Sequence, residues 1–421
     1  MPYNVAALWA RASGKNYNPT LLPPPYEIIA YDGQSLAQGP TGSIDEKRTQ
    51  NMMDRLGVGM VRNLKNTLGT VMWTQGPFTG TLDTAVPGTG LGAAVTVGSL
   101  TPGHYLAVAL RRRRELAGLP NPSMIFMFCG ISGQPIEEFT ADPATGVYGD
   151  LIHRNRGYWM SEVKRIQPKA MMRYACFSQG EADSDDDAGL YAPIARTMWH
   201  DWLAQIQAVT SSLAMPVVTQ IGGYADSLTP PKNYDVCLEQ VQVAEEYGGL
   251  VPGSWYPFPV GDLNVHPDAT QTMLMADTVA WAIVEHELGH SWKAFKPTSV
   301  VRSGAQLVLT YPLAPGESLV LSNSTKYDAY GGIAFGGTAN KGFEAGTISA
   351  ISVSGNKLYL TTASDTWAYA MQVADMTPYA VGGLNYVAHR GLLRSTRQTP
   401  SVLVPGETLY NWALSWRGGL Y

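Results

Sequence analysis

Cysteine is scarce in this chain. Cys129, Cys176 and Cys237 are three residues in 421, far apart and without a C-x-x-C pair. Neither a disulfide framework nor a thiolate zinc site is encoded, and buried free thiols are expected. Charge is also thin. Charged residues make up 15% of the chain, and 34 acidic against 29 basic residues leave a formal net charge of −5. That balance excludes the basic footprint of a nucleic-acid binder. No run reaches the roughly 20 apolar residues needed to span a bilayer. The opening "MPYNVAALWARASGKNYNP" has no apolar core behind a basic start, so no signal peptide is expected. Internal repeats and low-complexity tracts are missing too. These absences describe a soluble chain made in a cytoplasm, with neither nucleic acid nor membrane as partner.

What remains is 45% hydrophobic and longer than one core usually serves, so two domains are expected. Residues 1–24 end in "LLPPPYE" and read as an arm or linker stiffened by proline. Over 25–295, the strand-like runs "EIIAY" (27–31), "MIFMFC" (124–129), "YACF" (174–177) and "PVVTQIG" (216–222) alternate with helical stretches such as "YLAVALRRRRELAG" and "IARTMWHDWLAQIQAVTSSL". Such alternation predicts a parallel sheet covered on both faces, with ligands bound at the carboxyl ends of its strands. The basic run Arg111 to Arg114 reads as a solvated helix face rather than a phosphate groove. From 296 to 421 the texture changes to a period of two, in "AQLVLTYPL", "GTISAISVSGNKLYLTTA" and "WAYAMQVA". This predicts a second, all-β domain of sandwich type.

Four stretches carry chemistry-bearing residues at strand ends. "YDGQSLAQG" (31–39) places Ser35 after a strand, but Ala37 stands where a lipase-type elbow needs its second glycine. Taken alone, Ser35 is as well explained as a turn serine. "CGISGQPIEEF" (129–139) and "CFSQGEADSDDD" (176–187) each follow a strand directly. In "PVGDLNVHPDATQTMLMADTVAWAIVEHEL" (259–288), a loop with Asp262 and His266 runs into an amphipathic helix. Pro267 suits the first turn of that helix, and Met273, Ala276, Val279, Ala280, Ile283 and Val284 fall on its packed face.

Taken in order, "GQS", "SGQPIEEF", "SQGEAD" and "D…HP" resemble the SGNH hydrolases, in their sialate O-acetylesterase-like, carbohydrate-esterase branch, over about residues 26–290. The resemblance implies a three-layer α/β/α, flavodoxin-like parallel sheet. It also implies an esterase that removes acetyl groups from an acetylated glycan, without metal or cofactor. Ser35 would be the nucleophile, His266 its base and Asp262 the acid that orients the imidazole. The backbone N–H groups of Ser35 and Gly133 and the side-chain amide of Gln179 would form the oxyanion hole. Glu181 and Asp183 would support these groups or fix the loop. Two departures stand out. The family's acid lies three residues before the histidine, where this chain has Leu263, whereas Asp262 lies four before. Either a wound loop brings Asp262 to the ring or a backbone carbonyl orients it. The glycine pair usual in this branch reads Ser132-Gly133.

Rival readings exist. "HELGH" (286–290) matches the zinc-protease signature H-E-x-x-H, but it falls at a helix end with Gly289 as a stop and no third ligand following. "SDDD" (184–187) suits a calcium ion or, more simply, the charged start of a helix. His104, His153, His200 and His389 have no ligand spacing, and Trp73 and Trp255 near the expected cleft suit stacking on sugar rings or, equally well, core packing. The closing "YVAHRGLLRSTRQTPSVLVPGETLYNWALSWRGGLY" resembles β-sandwich appendages of bacterial and phage SGNH esterases. That likeness implies a virion-associated enzyme acting on surface polysaccharide, with tail or homo-oligomer partners. The alternative from another class is a non-catalytic carbohydrate-binding or structural tail protein.

Overall fold

A computed structural model of the chain describes residues 26–33, 61–65, 90–93, 102–127, 133–140, 149–183, 189–222, 235–255, 257–258, 267, 269–321, 343–344, 348–362, 369–372 and 393–419. The first half is built on β1 (Tyr26–Gly33), β2 (Val61–Lys65), β3 (Gly90–Ala93), β4 (Ser123–Met127), β5 (Tyr174–Ser178) and β6 (Met215–Val218). They form one sheet in the order β3-β2-β4-β1-β5-β6. All neighbouring pairs are parallel except β2 with β3. Beyond β6, residues 250–254 continue the sheet through parallel bridges from Val217 to Leu250 and from Gln220 to Ser254. Without the β2–β3 pair, which lies between β1 and β4 in sequence and adds at the β4 edge, the order becomes second, first, third, fourth, fifth. That is the flavodoxin-like order the resemblance implies.

Among the described residues, five helices cover this sheet: α1 (Pro102–Leu116), α2 (Gly149–Ile166), α3 (Tyr191–Thr210), α4 (Asp235–Glu246) and α5 (Ala269–Glu287). Strand alternation assigns them to faces. Ile29, Tyr31, Cys176 and Val217 pack with α1 and α5, whereas Ile28, Ala30, Phe177 and Val218 pack with α2, α3 and α4. The four predicted strands and the two predicted helices are all present. The β2–β3 pair was not predicted. Cys176 and Cys237 are buried free thiols, and Cys129 lies outside the described residues.

α5 departs from expectation. It is not amphipathic, because Leu274 and every residue from Met275 to Val284 are buried. Pro267 stands two residues ahead of the helix rather than in its first turn. The cause is a second cover. β14 (Leu393–Pro400) and β15 (Thr408–Trp412) lead to Leu403, Val404, Leu409 and Trp412, which join the same cluster as α1 and α5.

All other described strands after residue 296 pair antiparallel: β7 (Ser299–Ser303), β8 (Gln306–Thr310), β9 (Leu319–Leu321), β10 (Phe343–Glu344), β11 (Ile348–Ser354), β12 (Lys357–Thr362), β13 (Tyr369–Gln372) and β16 (Trp416–Gly419). They form three small sheets, β10-β13-β16, β11-β12-β8-β7 and β15-β14-β9. Leu307, Leu309, Leu319, Leu358, Leu360, Leu393 and Trp416 draw these sheets onto one core. The molecule is thus an α/β sheet followed by an all-β region, as predicted. Among the described residues, no helix is long and apolar enough to cross a membrane.

Candidate active site

A doubly wound sheet offers a crevice where successive crossovers leave on opposite faces. Here that point lies between β1 and β5. The connection from β1 to β4 carries α1 on one face, and the connection from β4 to β5 carries α2 on the other. At the carboxyl edge Gly33 is paired with Ser178. Gly33 has φ +138°, and a Cβ built on it would lie 1.8 Å from the Ser178 carbonyl oxygen. Only glycine fits, which gives the first letter of "GQS" a steric reason. Ser35 follows two residues later in sequence and lies outside the described residues, as do Asp262 and His266 on the sequence side of Pro267.

The loops after β4 and β5 are tied together at this edge. Gln179 is fully buried, and its Nε2 donates to the Gln134 carbonyl at 3.1 Å and to an Asp183 carboxylate oxygen. The other Asp183 oxygen accepts the Ile136 backbone N–H at 2.8 Å. One carboxylate therefore fixes both the "SGQPIEEF" turn and the "SQGEAD" turn. Gly133 lies at the exposed start of the first turn, with φ +69° and open space where a Cβ would stand. Behind the cluster, the Gln179 carbonyl accepts from Tyr191 Oη at 3.3 Å and from Gln240 Nε2. Burial first, and then the Asp183 charge, pushes the Tyr191 phenol well above its ordinary pKa, so it stays a donor. Glu181 is buried in the same short turn.

An amide nitrogen has two hydrogens, and at Gln179 both are engaged. A flipped amide would point its oxygen at a carbonyl and a carboxylate, so the orientation is fixed by its neighbours. As arranged, the Gln179 amide ties the Gln134 carbonyl to the Asp183 carboxylate.

Several residues at this edge carry no sequence signal of their own. Asp32, just before Gly33, is fully buried and accepts from Arg156 Nε of α2 at 2.9 Å. The Arg156 guanidinium lies 4.1 Å from the Trp202 ring centroid, a cation–π contact that suits a weakly hydrated cation. Trp255 is not exposed. It is completely buried and its Nε1 donates to Ser178 Oγ at 2.9 Å, so it offers no face to a sugar. Trp73 and "SDDD" lie outside the described residues. His104, in the first turn of α1, is buried, and burial pushes its pKa down to about 4, leaving it neutral near pH 7.

"HELGH" has another occupation. Glu287, its glutamate, is buried against Arg114 at 2.7 Å and Arg173 at 3.1 Å and accepts from Tyr174 Oη. His290 Nδ1 lies 2.8 Å from Glu285. Both oxygens of this glutamate are taken up by structural partners, and no His/Cys/Asp/Glu group suited to a metal is found among the described residues. The basic run is corrected as well. Arg113 and Arg114 are buried ion-pair partners of Asp277, Glu27 and Glu287. Only Arg111 and Arg112 reach solvent, both pairing with Glu115.

No protein-family model matches the chain, and no curated protein matches its sequence. Among solved structures, a carbohydrate acetylesterase from Xanthomonas citri aligns over 94% of this chain and 81% of its own, with a TM-score of 0.55 and 14% identity. An Arabidopsis thaliana protein aligns over 62% of this chain and 99% of its own, with a TM-score of 0.41 and 14% identity. NanS aligns over 63% and 98%, with a TM-score of 0.37 and 13% identity. By fold, this chain is similar to the carbohydrate acetylesterase from Xanthomonas citri.

Proposed function

We propose that this chain is a serine esterase that removes O-acetyl groups from a carbohydrate or polysaccharide through an acyl-enzyme. One observation carries the reading. Three motif segments far apart in sequence meet at the carboxyl edge of the sheet, at its topological switch point: Gly33 against Ser178, and Asp183 joining Gln179 to Ile136. The fold shared with a carbohydrate acetylesterase supports the same substrate class.

In this reading Ser35 Oγ attacks the acetyl carbonyl carbon while His266 takes the hydroxyl proton. Asp262, or a backbone carbonyl in its place, holds the imidazole tautomer. The tetrahedral oxyanion receives the backbone N–H groups of Ser35 and Gly133. Gln179 keeps the Gly133 turn in register, and becomes a donor itself only by exchanging its bond to Gln134 or Asp183. Glu181 supports the same turn. Collapse breaks the ester C–O bond, and the sugar alkoxide leaves with the proton from His266. Water then attacks the acetyl-serine with His266 as base, releasing acetate. The chain's own residues supply every proton transfer.

The test is hydrolysis of p-nitrophenyl acetate, followed by a panel of acetylated glycans. Ser35→Ala should lower kcat by roughly 10⁴ or more with the fold intact. Near-normal turnover in that variant ends the serine-hydrolase reading.

A further inference from the structure

We infer that Asp32 and Arg156 form a positioning unit that couples the nucleophile turn to the oxyanion turn of the proposed esterase site. The inference rests on the Ser35 reading above. Asp32 is the last residue of β1 whose side chain faces the α2 layer, and it precedes Ser35 by three residues in the chain. Arg156 Nε bonds its carboxylate at 2.9 Å. The same guanidinium, through Nη1, reaches the Phe139 carbonyl at 3.4 Å and lies 6.0 Å from the Phe139 ring centroid. Phe139 ends the short helix Ile136–Phe139 that follows Gly133, the helix whose first N–H is held by Asp183. One guanidinium, 4.1 Å from the Trp202 ring centroid, thus touches both the strand that precedes Ser35 in the chain and the short helix that follows Gly133.

Packing alone does not account for this choice. Asp32 and Arg156 are both completely buried, and Arg156 Nη2 is buried without a partner among the described residues. Replacing a buried pair by apolar groups of similar shape is often neutral or stabilising, so a purely structural site gains little from these charges. Registration of two turns is different. A planar fork bonded at both ends fixes their separation and angle, and misplacing reacting groups by about 1 Å costs on the order of 100-fold in rate.

The experiment uses the full chain, p-nitrophenyl acetate turnover and labelling by a fluorophosphonate probe. Wild-type protein and Ser35→Ala come first. Labelling that is lost in Ser35→Ala establishes the nucleophile, whereas an unlabelled wild type overturns the esterase reading whatever Arg156 does. The decisive variant is then Asp32→Asn with Arg156→Met, which removes both charges together and leaves neither buried alone. It should melt close to wild type yet lose about 100-fold in kcat, with KM changed by less than about threefold and labelling slowed in parallel. A folded double variant with kcat within about threefold of wild type overturns the proposal. If the double variant does not fold, Arg156→Lys decides. It keeps the charge beside Asp32 but cannot bridge to Phe139, and should lose at least about tenfold in kcat. Wild-type kcat in Arg156→Lys overturns the proposal equally.

Discussion

At the scale of single residues, two glycines near the proposed site make opposite demands. Gly33 has no room: any Cβ meets a backbone carbonyl at 1.8 Å, and that carbonyl belongs to a central strand that cannot move alone. Gly33→Ala should therefore part β1 from β5, costing about 4 kcal/mol or more in denaturant-measured stability and leaving little soluble protein. Gly133 has open space where a Cβ would stand but a left-handed backbone. Gly133→Ala should cost only about 1–2 kcal/mol, the strain of φ > 0 for a residue with a side chain. Equal losses in the two variants would show that the tight junction is not what holds the edge together. Asp183 presents a third kind of demand. Its carboxylate receives a backbone N–H and an amide N–H in a buried place. Asp183→Ala leaves both donors unmet and should cost about 2–4 kcal/mol. Asp183→Asn should lose less stability but still impair turnover, because its amide would face a donor.

Helices and strands are tied at the amino edge of the sheet by charge. Glu27 of β1, Arg114 of α1, Glu287 of α5 and Arg173 beside β5 form a compact buried cluster, with Arg114 Nη1 on Glu27 at 2.6 Å and Arg173 Nε on Glu27 at 2.9 Å. Burial pushes the Glu27 carboxyl upward, but Arg114 and Arg173 outweigh it and hold its pKa at about 2. The folded value lies below the ordinary 4.5, so the contribution is fully present above 4.5 and is lost as pH falls through 2. A shift of that size corresponds to about 3 kcal/mol. His104 adds an earlier step of the same sign. Its neutral form is favoured down to about pH 4, so stability should begin to fall as pH drops below the ordinary histidine value of 6.5. Unfolding midpoints measured from pH 8 to pH 2 should show both steps. Glu27→Gln should flatten the lower one, and an unchanged acid limb in that variant would refute the assignment. These ties also show where sequence reading reaches its limit. Apolar alternation in "EIIAY" and "YACF" is a local signal, and the strands follow from it. Arg114 looks like its solvated neighbour Arg112 in sequence, and only the arrival of Glu27 and Glu287 from distant segments makes it a core residue. Gln179 stood out in the sequence because it belongs to a motif. Its hydrogen-bond direction did not, since Asp183 and Gln134 decide it. Asp32 stood next to the motif, but Arg156 is 124 positions away.

For the molecule as a whole, the switch from helical to strand periodicity near residue 296 suggests a cut between two units, with every proposed catalytic residue upstream. The packing places a large shared surface across that cut. Asp277 of α5 accepts from Arg113, and its other oxygen accepts from Ser401 Oγ at 2.6 Å and from the Val402 N–H at 2.7 Å. The Gln220 side-chain amide grips the Ser415 backbone, its Nε2 donating to the carbonyl at 3.0 Å and its Oε1 accepting the N–H at 2.8 Å. Leu403, Val404, Leu409 and Trp412 cover the outer side of α1 and α5, and Arg397 lies against Trp281 and Trp292. Fully burying each large apolar side chain contributes about 1.5–3 kcal/mol. Four of them, before any ion pair is counted, approach the 5–15 kcal/mol that is the whole stability of an ordinary domain. A chain ending at 296 should therefore be insoluble, or should melt far below the full-length protein. Its loss of activity should be a loss of fold rather than of a missing catalytic group. Co-expression of residues 297–421 as a separate polypeptide should restore soluble material that co-elutes on size exclusion and hydrolyses p-nitrophenyl acetate. A soluble, well-folded 1–296 fragment with full-length melting behaviour would show that the all-β region only rests on α1 and α5 and does not complete their core.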